Sequence, residues 1–160
     1  MLKKFLRKFV IVSIVMLFGL AMLSFFGPDA PVLGVSDGRL SECPGSPNCV
    51  SSMTKLEDFE MEPIPFENSA GSSEDELDRL KQAITGTFPR ATLIDQQDNY
   101  LRYEFRTFVF RFVDDVEFLA VPEEKQIHFR SASRVGQSDL GLNRKRITKI
   151  KQQLSNRADD

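Results

Sequence analysis

The sequence predicts an α+β domain, with an antiparallel sheet of about four to five strands and two helices, behind an N-terminal transmembrane segment. Three observations predict it. An unbroken apolar run from Phe9 to Phe26 follows four basic residues. Two stretches, near Ser73–Thr85 and Gly141–Gln153, place apolar residues at helical spacing. Between them, from Ala91 to Arg134, apolar and polar residues alternate in runs broken by turn residues.

The N-terminus comes first. Lys3, Lys4, Arg7 and Lys8 precede the apolar run, and Gly27-Pro28 closes it. The run approaches the roughly 20 residues needed to span a bilayer. Basic residues before it keep the N-terminus cytoplasmic and send the remainder out, to the periplasmic or cell-envelope side. The run is longer than a signal-peptide core, and Leu23-Ser24-Phe25-Phe26 is a poor cleavage site, which favours an uncleaved anchor. Cys43 stands too far behind the run for a lipoprotein signal. The exported part carries 17 basic against 23 acidic residues, a net of about −6, which argues against a nucleic-acid partner.

Residues 28–59 read as linker and then as irregular cover around CPGSPNCVSS, which holds the only two cysteines, Cys43 and Cys49. In an oxidising compartment the pair reads as a disulfide closing a small loop. In the chain-entropy model that loop contributes about 2–2.5 kcal/mol. A redox pair or a metal site are the alternatives. The spacing is not that of a redox motif, and His128 is the single histidine available as a further ligand.

The domain proper is expected over residues 60–156. EMEPIPF at Glu60–Phe66 is an edge strand, since its two prolines exclude a central one. Ser73 and Glu76 have capping-box spacing, and Leu77, Leu80, Ile84 and Phe88 share one helical face ended by Gly86 and Pro89. Ala91–Gln97 is a strand, with a turn at Asp98-Asn99. Leu101, Tyr103 and Phe105 alternate on one parity and Phe108, Phe110 and Phe112 on the other, so a bulge or loop must fall at Arg106-Thr107.

The next two strands form a hairpin. Phe118 and Phe129 must share the core face, and a turn at Pro122–Lys125 then pairs Val121 with Gln126. That register sets Glu117 opposite Arg130 and Asp115 opposite Ala132, diagonal to Arg130 and Arg134. An acid–arginine patch results on one sheet face.

RSASRVGQSDLGLNRKRI, from Arg130 to Ile147, concentrates four arginines among small and polar residues. Clustered guanidinium groups need carboxylates or a shared anion. Ser138 and Asp139 cap the last helix, and Ile147, Ile150 and Leu154 form its buried stripe. Asn143 lies on that inward stripe, with Arg144 and Arg146 flanking it, and Asn143 and Arg146 are expected to reach the hairpin patch.

CPGSPNCVSS, FVDDVEF at Phe112–Phe118 and the Arg130–Ile147 motif, in that order, resemble domain-of-unknown-function family 1499. The likeness runs from about Cys43 to Leu154. It implies a small bacterial or plastid domain, often behind a hydrophobic segment, and brings no reaction or catalytic residue with it.

The expected site is therefore Asp115, Glu117, Arg130, Arg134, Asn143 and Arg146, binding an anionic lipid headgroup or cell-wall component with no cofactor or metal. The start of the last helix would add its N–H groups. Arg130→Ala and Arg134→Ala would then abolish binding and leave stability within about 1 kcal/mol, as at exposed sites. Two other readings compete. The charges form an ion-pair network that pins the last helix to the sheet, making the domain structural or an interaction module. Alternatively Asp114, Asp115 or Glu117 performs acid–base chemistry beside an arginine, although arginines lower such pKa values and no catalytic motif accompanies them.

Overall fold

The computed structural model describes residues 2–25, 31–67, 71–108 and 111–158. Helix α1 covers Leu2–Phe25. Among the described residues no helix is long and apolar enough to cross a membrane. The closing Gly27-Pro28 lies outside the described residues.

The domain is α+β. Its sheet has six strands, more than the four to five expected. A two-stranded ribbon, β1 (Val35–Ser36) and β2 (Arg39–Leu40), comes before it. Asp37 and Gly38 between them both take positive φ, 51° and 71°, the geometry that a two-residue hairpin turn requires. The sheet itself runs β3 (Cys49–Ser51), β8 (Gln126–Ser133), β7 (Val113–Val121), β6 (Tyr100–Arg106), β5 (Ala91–Gln97), all neighbours antiparallel. The sixth strand, β4 (Ile64–Pro65), also pairs with β8, beyond the end of β3. Thus Glu60–Phe66 does yield an edge strand, shorter than the segment read for it. The segment read as irregular cover yields β1, β2 and β3.

The β7–β8 register is the one that the core parity demanded: Val121↔Gln126, Phe118↔Phe129, Glu117↔Arg130 and Asp115↔Ala132. Arg106 ends β6, and β7 begins at Val113. The phase flip is therefore a loop, tied by Thr107 N–H to the Phe112 carbonyl and by Phe112 N–H to Thr107 Oγ1, each 2.9 Å. Phe108 stands out in solvent as a result, and Phe110 lies outside the described residues.

Two helices pack on one sheet face. Helix α2 (Ser73–Thr87) starts one residue earlier than its predicted box, because Ser72 keeps extended backbone and exchanges hydrogen bonds with Asp75. Helix α3 (Leu142–Ala158) closes the fold. Leu80, Ile84, Phe118, Phe129, Ile147 and Ile150 meet between helices and sheet with no solvent exposure. Burial of each such side chain contributes roughly 1.5–3 kcal/mol. The outer sheet face is covered too. Leu40 packs with Tyr100 and Leu119, and the cysteine loop sets Cys43 and Cys49 against Ala132. Cys43 and Cys49 are bonded to each other, with Cα atoms 5.7 Å apart.

Candidate functional site

Strand parity sorts the polar residues before any contact is measured. Residues paired across the sheet share a face. On the outer face one row reads Asp95, Arg102, Glu117, Arg130, with charge alternating at every strand. The next row places Glu104 beside Asp115, two like charges that need a cation between them. Arg134 supplies it. Its Nε and Nη2 reach the two Asp115 oxygens at 2.7 and 2.8 Å, and Nη2 also reaches Glu104 at 2.5 Å. Arg102 adds a bond to Asp115 at 2.9 Å, and Arg106 one to Glu104 at 2.6 Å.

Burial makes these pairs tight. Asp115 and Glu117 are 1% and 0% exposed. Burial alone pushes the Asp115 carboxyl up, but bonds from Arg134 and Arg102 outweigh it and hold the group below its ordinary range. The Asp115 bond in turn raises the Arg134 pKa above that of an ordinary arginine. Glu117 goes the other way. It accepts from Tyr100 Oη and from Gly34 N–H, both at 2.9 Å, and Arg130 stands farther off at 3.4 Å. Burial wins there, and its carboxyl is raised. The same burial, with Glu117 alongside, raises the Tyr100 phenol. The Gly34 contact is the strap that shuts this end, since it brings the β1–β2 ribbon down over the row.

Asn143 and Arg146 do not join this group. They stand on the helix face, the opposite side of the sheet, because Ser131 and Asp114 carry the parity of Phe129 and Val116. Asn143 Nδ2 donates to the Asn48 carbonyl at 2.9 Å and to Ser133 Oγ at 3.1 Å, and its Oδ1 accepts from Ser131 at 2.6 Å. Arg146 donates to Asp114, Asn143 and Ser131. The six residues expected to form one patch therefore divide into two networks across the sheet. The exposure expected of Arg130 and Arg134 is also absent: their side chains are 9% and 12% exposed. At the start of α3 the chain's own Asp139 takes N–H groups that an anion would need: its carboxylate accepts from Gly141 and Asn143 and its carbonyl from Leu142.

One open feature borders the second network. A cleft of about 530 Å³ lies between the end of α2, the end of β6 with its following loop, and the first turns of α3. Arg90, Arg106, Lys145, Arg146 and Lys149 line it, and among the described residues no carboxylate does. Phe88, Phe105, Phe108 and Leu142 supply its apolar surface. Arg146 and Arg106 are engaged by Asp114 and Glu104. Arg90, Lys145 and Lys149 enter no ion pair among the described residues; Arg90 instead lies over the Phe108 ring at 4.4 Å and Lys149 over Phe88 at 5.4 Å. Sequence reasoning named Arg146 alone of these. The visible signal was Lys145 and Lys149, four apart on α3 outside its buried stripe.

Comparison with known proteins places these elements in one unit. The family model described as protein of unknown function (DUF1499) matches residues 39–154, from β2 to the last buried turn of α3. No curated protein and no solved structure matches the chain.

Proposed function

This chain belongs to the DUF1499 family, and from that membership, which carries no reaction with it, we propose a membrane-anchored extracytoplasmic domain that binds an anionic envelope molecule without transforming it. The observation that carries the reading is the cleft with five cations and, among the described residues, no carboxylate in its wall. Arg106 and Arg146 are already paired with Glu104 and Asp114, but Arg90, Lys145 and Lys149 enter no ion pair among the described residues, and such groups held close together favour a bound anion. Arg146 belongs to this cleft and, through Asp114 and Asn143, ties it to the sheet. Asp115, Glu117, Arg130 and Arg134 act as the scaffold behind it. Buried ion networks of this kind specify geometry more than they add stability. Asp114, Asp115 and Glu117 are poor candidates for acid–base work, because each is at most 2% exposed and already bonded within the fold.

Two features support the envelope location. Apolar side chains of α1 stand exposed, with Phe9 at 64%, Val12 at 65% and Phe18 at 63%, and four basic residues precede them in the sequence. The Cys43–Cys49 bond is of the kind that an oxidising compartment preserves.

Two measurements test the reading. A reporter fused after Asp160 is expected to be active only when exported, and cytoplasmic activity refutes the topology. Mass spectrometry of small molecules retained by the full chain, purified from membranes, is expected to find an anionic species that the Lys145→Glu/Lys149→Glu variant loses. Identical content in both proteins refutes the binding site.

A further inference from the structure

The wall of the cleft is basic, but its floor is aromatic. Resting on the anion-binding reading above, we infer that the occupant is a single-chain anionic amphiphile: one acyl chain bearing a carboxylate or phosphate head. Phe88 and Phe105 meet edge to face at 5.2 Å and form a rigid floor. Two apolar side chains rise from it on separate elements, Phe108 from the loop after β6, 75% exposed, and Leu142 from the first turn of α3, 45% exposed. Scattered exposed hydrophobics are ordinary on a protein surface, but a contiguous apolar patch rimmed by charge marks a binding groove.

The cations suit the head. Lys145 and Lys149 follow each other on successive turns of α3, a spacing at which like charges repel. Arg90 adds a third positive charge with no carboxylate partner among the described residues. A shared anion relieves all three, and the apolar floor beside them lowers the local dielectric and strengthens the contact. From Leu142 to Lys149 the helix advances about 10 Å, enough for a medium-length chain to lie along it. A volume near 530 Å³ falls inside the usual range for small-molecule sites, as a single-chain amphiphile requires. A polar anion alone would leave Leu142 and the exposed part of Phe108 uncovered. A neutral lipid would leave the lysines unused.

Photo-crosslinking tests this on the full chain held in nanodiscs of neutral phospholipid, with a diazirine-bearing dodecanoate as probe. Labels are expected on peptides containing Phe88, Phe108 or Leu142. Unlabelled dodecanoate and dodecyl phosphate should compete at least tenfold better than dodecanol and at least a hundredfold better than inorganic phosphate. Phe108→Ser and Lys145→Ser/Lys149→Ser should each cut labelling of the cleft at least tenfold while the far-UV spectrum and melting curve stay unchanged. If inorganic phosphate competes as well as dodecyl phosphate, the acyl-chain inference falls and the anion site stands. If dodecanol competes as well as dodecanoate, the anion reading falls with it. Labels confined to residues 2–25 overturn both. Labelling of the cleft only when the nanodisc contains anionic lipid means that this face docks on a membrane surface, and overturns the monomeric ligand.

Discussion

Arg134→Ala separates a scaffold from a docking patch. The guanidinium bridges Asp115 and Glu104, with side chains 2% and 12% exposed, and is itself 12% exposed. Its removal leaves two adjacent carboxylates close to each other with less countercharge. Breaking a buried pair costs about 3–5 kcal/mol. Arg102 still holds Asp115, and Arg106 still holds Glu104, which places the expected loss at the lower end, about 3 kcal/mol. For a domain of this size that corresponds to a fall in Tm of about 12 °C. Urea unfolding followed by far-UV circular dichroism measures it, with a midpoint shift of about 1–2 M if the slope is unchanged. The double variant Arg134→Ala/Asp115→Asn should lose less than the sum of the single losses, because the second change removes the charge that the first one stranded. A loss below 1 kcal/mol for Arg134→Ala, with additive behaviour in the cycle, refutes the scaffold and returns these residues to the surface-patch reading.

Three further outcomes follow from the geometry. Glu117 has a raised carboxyl, so its contribution is full below the ordinary glutamate range and is lost as pH rises through its higher folded value; Asp115, lowered, gives stability that disappears as pH falls below the ordinary aspartate range. Glu117→Gln should therefore flatten the decline in stability between weakly acidic and neutral pH seen in urea titrations, leaving the acid limb in place. Asn143→Ala removes one of the two donors to the Asn48 carbonyl, the donor to Ser133 Oγ and the acceptor of the Ser131 hydroxyl, and should cost about 1–3 kcal/mol by thermal melting. Cys43→Ser/Cys49→Ser should cost about 2 kcal/mol, and thiol alkylation of unreduced, unfolded wild-type chain should label neither cysteine.

The hairpin was legible because two constraints met there. Period-two alternation set which residues face the core, and the turn at Pro122–Lys125 allowed one register. The division of the polar residues was legible by the same rule, since Asp114 shares parity with Val116 and Ser131 with Phe129. The inference that α3 would reach the hairpin charges set that parity aside. Arg102, Glu104 and Tyr100 went unnamed as partners although they occupy the second parity of β6, because attention followed the apolar one. The cover over the outer face was hidden for a different reason. Strands of two or three residues carry no measurable period, and what places β3 is pairing with a partner some 80 residues later. Asp37-Gly38 was the one local sign of the ribbon. The cleft was least legible of all, since its walls come from three separate elements brought together only by packing.

The pairing of β3 and β4 along a single edge of β8 also sets an order of events. Cys49 meets Ala132, and Ile64 meets Ile127, so β3 and β4 have no strand to join until β8 has been made. Emerging from a ribosome at about 5–20 residues per second, these two strands travel for several seconds with their partner still unmade. The cysteine loop is the exception: with a sequence separation of 6, it needs only its own few residues and an oxidant to close.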